Sequence, residues 1–397
     1  MTHIKKTKHY SWKINNLAKG CKQCVKGEKL VMFITGICPR KCDYCPISEQ
    51  KKDLDVIFVN ERKLDNENDV EAIIEEVKAC KSKGAGFTGG DPLSRVERTC
   101  RYIKILKENF GKKFHIHLYT SMNLLNEENL RKLNEAGLDE LRIHPDLYDD
   151  KLWHRIFLFN KKNKNKYNFT VGIEIPVIPN SFENTLKIID FFVKFVDFIN
   201  LNELEISDGD AFRMKNVKTR NNTYYGAKGS REEAFKILRH IYKNHPNANV
   251  HFCTCKLKDK IQLGERLKRR AKNTAKKFDI VTSEGTLIRG AIYLKSLIPD
   301  FNYTKKLETI LNHKEKNKKI IDTLKKIRTY IIKNYSIPGN LIEVDELKFR
   351  IITNAGIIKK IADELKSKKL VPTIKIVPAI IEQYPTWDQM EIEVEFL

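Results

Sequence analysis

Residues 30–255 alternate regularly between strand-like and helix-like segments, a pattern few folds can satisfy. Strand candidates are Leu30–Thr35, Ala85–Thr88, Phe114–Thr120, Glu140–His144, Thr170–Pro176, Ile199–Ser207 and Asn249–Cys253. Helical stretches separate most of them: Asp69–Lys83, Arg95–Asn109, Glu127–Ala136, Ser181–Val196 and Arg231–Asn244. Such alternation predicts parallel strands joined by helical crossovers. Six units without an eighth strand predict an α/β fold with a partial (βα)6 TIM-like barrel, open on one side. Side chains alternate across a strand. His115, His117 and Tyr119 therefore share a face of the third strand, Arg142 and His144 of the fourth, and Gly172 and Glu174 of the fifth. Glu203 and Glu205 are expected on the matching face of the sixth. A structural barrel core is filled by branched apolar residues, so four polar inner faces predict a cavity for a polar ligand. For any single one of these residues mutual pairing is the favoured explanation; for the set the cavity is. His144, Glu174, Glu203 and Glu205 are the candidate catalytic residues.

The first strand runs into Cys38-Pro-Arg-Lys-Cys42-Asp-Tyr-Cys45, three thiols spaced CxxxCxxC. Thiolates are the usual protein ligands of iron–sulfur clusters. Three of them on a four-iron cubane leave one iron without a protein ligand, open to bind and activate a small molecule. The bland alternative is three loop thiols or part of a zinc site, but zinc sites favour paired CxxC units. One βα unit later the second strand ends in Thr88-Gly89-Gly90-Asp91-Pro92. Two glycines there let the backbone approach a ligand closely, at the strand ends where parallel barrels carry their functional groups.

At this spacing, with Tyr44 before the third Cys, the motif resembles the cluster loop of the radical S-adenosylmethionine (radical SAM) superfamily, and the core is similar to that of the pyruvate formate-lyase activating enzyme group. The likeness covers about residues 30–207. It implies a 4Fe–4S cluster on Cys38, Cys42 and Cys45. It also implies S-adenosylmethionine bound near Tyr44, Gly89, Gly90, Asp91, Pro92, Thr120, Ser121 and Glu174. A one-electron reductant of ferredoxin or flavodoxin type would drive cleavage to a 5′-deoxyadenosyl radical. The family commonly has Gly-Gly-Glu-Pro at the glycine turn, so Asp91 is a departure. Gly172-Ile173-Glu174 resembles the family's loose Gly-x-Ile element near the adenine.

Cys21-Lys-Gln-Cys24 precedes the first strand and Cys253-Thr-Cys255 ends the last. Together they make four thiolates, enough for a zinc ion or an auxiliary iron–sulfur cluster. CxxC pairs also serve thiol chemistry. No apolar run approaches the ~18 residues of a membrane span. The basic, polar start Met1–Lys19 lacks a secretory signal. The expectation is a cytoplasmic protein whose nine cysteines are ligands or free thiols.

The chain divides by character into an extension (1–29), a core (30–255) and a basic, helical α+β region (256–397). The net charge is +23, which favours polyanion partners. It also fits a heat-adapted surface. Lys256–Asp279 holds ten Lys/Arg against three Asp/Glu. Arg266, Lys268, Arg269 and Arg270 are expected to form one phosphate-binding helix face. A solvated helix is the plain alternative. Thr304–Tyr335 predicts one long amphipathic helix. Lys348–Thr353, Asn354–Ser367, Val371–Ile376 and Glu391–Phe396 predict a closing strand–helix–strand–strand unit. The functional expectation is radical hydrogen abstraction from a macromolecule, first from RNA or tRNA, as an oxidoreductase or transferase. Protein modification of the glycyl-radical activase kind is the alternative. A non-catalytic iron–sulfur carrier or a metal-stabilised RNA-binding protein also stays open.

Overall fold

The computed structural model describes residues 4–159, 166–221, 224–367 and 375–397. Contacts divide the chain into two units, Met1–Arg266 and Leu267–Leu397. The division falls after Arg266 and not after Cys255.

In the first unit, seven strands run parallel in chain order: β1 (Lys29–Phe33), β2 (Gly84–Thr88), β3 (His115–Ser121), β4 (Glu140–His144), β5 (Thr170–Val177), β6 (Phe198–Glu203) and β7 (Val250–Cys253). The sheet does not close between β7 and β1. Antiparallel pieces border both edges instead: Trp12–Ile14 against β7 and Phe58–Val59 against β1. This is the expected open barrel, with a seventh parallel strand beyond the six βα units. Helices α2 (Val70–Cys80), α3 (Val96–Phe110), α4 (Glu127–Ala136), α5 (Phe182–Phe192) and α6 (Ser230–Asn244) follow strands as anticipated. After β4 the crossover holds a 3-10 helix, Trp153–Phe159.

Helix ends follow local chemistry. Asp69 caps α2 by accepting from Ala72 N, and Asn126 caps α4 by accepting from Asn129 N. Gly137, in the left-handed region, terminates α4. Apolar residues on one face of each strand, such as Ile116, Leu118, Leu141, Ile143, Ile173, Ile175, Ile199 and Leu201, are all buried beneath the helices.

Residues 1–29 are not a separate extension, because Trp12–Ile14 joins the sheet and a short helix, α1 (Lys19–Cys24), follows it into the concave side. Gly20 lies so close to the inner face that a Cβ there would sit 2.7 Å from Arg142 Nη2 and 2.8 Å from His117 Nδ1. Six residues are too few to show a periodicity, so no pattern in the sequence signals this helix.

The second unit is a fully antiparallel sheet in the order Ile342–Asp345, Arg350–Thr353, Leu287–Leu294, Ile376–Gln383, Glu391–Phe396. The central strand Leu287–Leu294 was not anticipated. The expected strand Val371–Ile376 lies, up to residue 374, outside the described residues. The long helix is two, Tyr303–Leu311 and Lys314–Tyr335. His313 breaks it by turning extended and accepting from Lys316 N as a cap. Ala355–Ser367 is helical as expected. Arg350, fully buried, binds Asp345 (2.9 Å), Glu391 (2.8 Å) and Gln383 (2.6 Å), so its charge is met by two carboxylates.

Candidate active site

The cavity at the C-terminal ends of β1–β6 has a volume of about 560 Å³. Cys38, Cys42, Cys45 and Tyr44 line it, as do Gly89, Gly90, Thr120, Ser121, His144, Glu174, Glu203 and Glu205. All four candidate catalytic residues, separated by up to 61 positions in sequence, therefore face one space.

Two side chains dock the cysteine loop onto the end of β4. Arg40 donates to the carbonyls of His144 (3.1 Å) and Pro145 (3.2 Å) and pairs with Asp146 at 2.8 Å. The Tyr44 hydroxyl meets His144 Nε2 at 2.8 Å, while His144 Nδ1 lies 2.8 Å from the Glu174 carbonyl. A carbonyl only accepts, so Nδ1 carries the proton, and Nε2 accepts from Tyr44. Burial, then the Arg40 cation, push His144 down to about 4, which keeps it neutral at pH 7.

The glycine turn packs against the same loop. Gly90 N donates to Thr35 O (2.7 Å) and Asp91 N to Ile37 O (2.9 Å). A Cβ on Gly90 would lie 2.5 Å from both the Gly36 and Ile37 carbonyl oxygens. Asp91 turns away from the cavity and is fully buried. It accepts from Thr120 Oγ1 (2.8 Å), Ser121 N (2.9 Å), Ser121 Oγ (2.7 Å) and Leu93 N (3.0 Å). Burial pushes its carboxyl up against those four donors. Asp91 is thus a brace between β2 and β3. Both hydroxyls expected to touch a ligand spend their protons on it, though they line the cavity and can still accept. Pro92 is buried at the start of a 3-10 helix, off the cavity.

Beneath lies the polar inner face. Arg142 is nearly inaccessible and bridges Glu140 (2.7 Å from Nε) and Glu174 (2.8 Å from Nη1). It also donates to Tyr119 (3.0 Å) and to Cys21 Sγ (3.4 Å). Glu174 accepts further from Asn200 Nδ2 and Asn202 Nδ2, both at 2.9 Å. Burial raises its pKa, but Arg142 and the two amides outweigh this and hold it below the usual value. It is a fixed anion.

Two expectations need correcting. The inner face of β6 carries Asn200 and Asn202, which sequence reasoning missed. Parallel neighbours in register share a face, and Asn200 stands opposite Glu174. The strand ends at Glu203, so phasing from Glu203 and Glu205 projected the pattern past its end. Glu203, the last residue of the strand, and Glu205, just beyond it, both reach the cavity. Glu203 accepts from Cys255 N and Arg220 Nη2, each at 3.0 Å, and Glu205 pairs with Lys258 at 3.2 Å. Lys258, also missed, lies on a π-helical turn, Leu257–Leu263, a geometry frequent at functional sites. Secondly, Gly172 is a packing residue: a Cβ would lie 2.2 Å from the Phe198 ring.

The four outlying cysteines do not form one small-ion site. Cys21 meets Asn200 and Arg142, Cys253 packs with Val25 and Leu257, and Cys255 faces the Glu203 and Leu204 carbonyls. Among the described residues, the only three His, Cys, Asp or Glu side chains whose ligand atoms all come within 4.8 Å are Asp190, His240 and His245. A zinc tetrahedron needs closer convergence than the cysteines show.

The basic helix also departs from expectation. In α7 (Gly264–Thr274), Arg266 is buried and donates to Asn60 Oδ1 (2.8 Å) and to Glu61. Arg270 is buried and donates to the Pro385 carbonyl. Lys268 and Arg269 also have partners. Charge density in the sequence did not report that these cations are committed to intramolecular partners.

A family model for the radical SAM superfamily matches residues 32–189, and one described as a domain of unknown function matches residues 285–397. A protein of Methanocaldococcus jannaschii, provisionally named a glycyl-radical enzyme activating enzyme, is 37% identical over 394 residues, 97% of this chain and 94% of that protein. A biotin synthase of Pseudoalteromonas translucida is 31% identical over 139 residues, 32% of this chain and 36% of that enzyme. Among solved structures, Streptococcus suis SuiB bound to S-adenosylmethionine aligns with a TM-score of 0.38 at 16% identity, covering 56% of this chain and 46% of that one. Escherichia coli coproporphyrinogen III oxidase, a radical SAM enzyme, aligns with a TM-score of 0.34 at 13% identity, covering 61% and 59%. The chain thus spans about half the length of each of these two structures. Among the described residues, no helix is long and apolar enough to cross a membrane.

Proposed function

The chain belongs to the radical SAM superfamily, and from that premise we propose that it abstracts hydrogen from a protein substrate, as a glycyl-radical enzyme activase. The family implies a 4Fe–4S cluster, S-adenosylmethionine and a reductant. The residues present fit the cluster. Cys38, Cys42 and Cys45 are free thiols that line one cavity beside the glycine turn, and three thiolates suit a four-iron cubane with one iron left for a ligand. Burial pushes Cys38 up to about 11 and raises Cys42, so their protons leave when metal binds. When bound, cluster and S-adenosylmethionine supply a primary carbon radical able to take hydrogen from an unactivated C–H bond.

The chain's own residues hold and shield that chemistry. Arg40 and Tyr44 fix the loop against β4, and the Gly90 and Asp91 amides fix it against β2. Neutral His144 offers no imidazolium proton at pH 7. The Glu174 anion, held by Arg142, Asn200 and Asn202, presents a fixed negative charge to the cavity, and the Lys258–Glu205 pair and Glu203 line its β6 side.

The observation that carries the protein-substrate reading is the likeness to the Methanocaldococcus jannaschii protein along almost the whole chain, second unit included. The RNA reading rested on the α7 cations, and those have internal partners. The test uses the anaerobically reconstituted enzyme with a reductant and S-adenosylmethionine, offered either a protein with a glycyl-radical loop deuterated at glycine Cα, or tRNA. Deuterium in 5′-deoxyadenosine and a glycyl radical by electron paramagnetic resonance are expected from the protein. Transfer from tRNA alone would overturn the reading. Replacing Cys38, Cys42 and Cys45 together by Ala should abolish 5′-deoxyadenosine in either case, and unchanged production would sink the cluster assignment.

A further inference from the structure

The sequence His240-Ile-Tyr-Lys-Asn-His245 closes α6 with two imidazoles separated by four residues, within the H-x3–5-H range of zinc ligands. His240 lies in the last turns of α6, and His245 is its C-cap. Asp190 lies near the C-terminus of the neighbouring helix α5. His240 Nε2 is 3.0 Å and His245 Nε2 is 2.7 Å from the same oxygen, Asp190 Oδ1. Both imidazoles are about three-quarters buried, at 23% and 22% side-chain exposure.

We propose that Asp190, His240 and His245 form a site for a divalent cation of the zinc class, with two imidazole nitrogens and one carboxylate oxygen as protein ligands and the fourth position left to water. Three features support a cation here. Two nitrogens and one carboxylate oxygen make the donor set of three-ligand zinc sites. The C-terminal ends of two helices carry partial negative charge, so α5 and α6 both favour a cation where they meet. Asn244 Nδ2 lies 3.1 Å from His240 Nδ1 and 3.3 Å from Nε2, and a carboxamide flipped and turned toward Nδ1 presents its oxygen to that nitrogen. This is the outer partner that a metal-bound His needs on its second nitrogen.

Bonds of ~2.0–2.1 Å in a tetrahedron space the ligand atoms by ~3.3 Å, so the carboxylate retreats by roughly 0.3–0.6 Å from the two nitrogens, and the nitrogens, which lie within 4.8 Å of each other, close by at most roughly 1.5 Å. Asp190, with 46% of its side chain exposed, leaves the triad open to water for the fourth position. The helix C-termini precede the starts of β6 and β7, so the site lies at the barrel end opposite the cysteine loop. Its role is to pin α5 to α6.

The test takes the cluster-loaded holoenzyme, so that the cluster thiols are occupied, and titrates it with Zn2+ by calorimetry and with Co2+ by absorption. Wild type should bind one Zn2+ that His240→Ala and His245→Ala weaken at least tenfold, and its Co2+ spectrum should show d–d bands without thiolate charge transfer from this site. Zn2+ should raise Tm in wild type but not in His245→Ala. If an alanine variant fails to fold, His240→Gln and His245→Gln keep a hydrogen-bonding group and take the same titrations. Equal zinc stoichiometry and affinity in wild type and variants, or cobalt bound through thiolate only, would overturn the proposal and leave the triad a hydrogen-bonded helix clamp.

Discussion

Replacing Arg142 by Met tests the charge logic of the barrel interior. Arg142 is 3% exposed, and its two acidic partners, Glu140 and Glu174, are 1% and 14% exposed. Removing one member of a buried ion network costs about 3–5 kcal/mol, because the remaining charge stays uncompensated. At about 2–4 °C per kcal/mol for a domain of roughly this size, Tm should fall by about 6–20 °C. Changing all three together, Arg142→Met with Glu140→Gln and Glu174→Gln, should restore most of the loss. The carboxamide introduced by Glu140→Gln would still accept from Gly20 N, as the Glu140 carboxylate does at 3.0 Å. The pH dependence has a defined sign. The depressed pKa of Glu174 contributes stability that is present above its unfolded value of ~4.3 and lost as pH falls through the folded value. The wild-type advantage over Arg142→Met should therefore be full at pH 7 and shrink in acid. Urea unfolding of the cluster-free protein under anaerobic conditions, followed by circular dichroism from pH 7 to 4, measures both effects. A single variant within about 1 kcal/mol of wild type at pH 7 would refute the argument, since an uncompensated buried carboxylate cannot be that cheap.

Gly90→Ala should prevent the glycine turn from seating against the Gly36 and Ile37 carbonyls, and iron incorporation should drop sharply while far-ultraviolet circular dichroism is retained; normal iron content contradicts this. Tyr44→Phe leaves His144 Nε2 without its donor, which should cost about 1–3 kcal/mol, read as a lower urea midpoint and faster cluster loss. The lowered pKa of His144 means that its neutral form is favoured in the folded state. Its contribution is therefore present above ~6.5 and is lost as pH falls toward about 4, up to about 3 kcal/mol at 1.36 kcal/mol per pKa unit. His144→Gln should flatten that slope in urea midpoints at pH 7, 6 and 5. Arg266→Gln should lower the urea midpoint by breaking its pair with Glu61, without changing the salt dependence of tRNA retention on filters; a reduced salt slope would return the helix to the phosphate-binding role.

Features written in local order could be read directly from the residues. The β/α alternation specified an open parallel barrel because a strand's period and a helix's period are properties of a few consecutive residues. CxxxCxxC and Gly89-Gly90 were legible for the same reason, as was the inward set His115, His117, Tyr119, Arg142, His144 and Glu174, each on a strand whose limits were nearly right. The rest depended on contacts between distant segments. The inner face of β6 depended on where that strand stops, and a slip of one residue moved the prediction from Asn200 and Asn202 to Glu203 and Glu205. Asp91 reads as a ligand-facing acid in its motif, yet its direction is set by Thr120 and Ser121, about thirty residues away. That Cys21, Cys24, Cys253 and Cys255 do not bring their sulfurs onto one small ion depended on where α1 and the end of β7 come to rest, which thiol count and spacing do not encode. The cations of α7 looked free because a sequence shows charge but not partners; Glu61, some two hundred residues upstream of Arg266, claims one of them. Asp190 and His245 carry no joint signal at a separation of fifty-five residues, and they meet because helices that follow adjacent parallel strands must pack side by side.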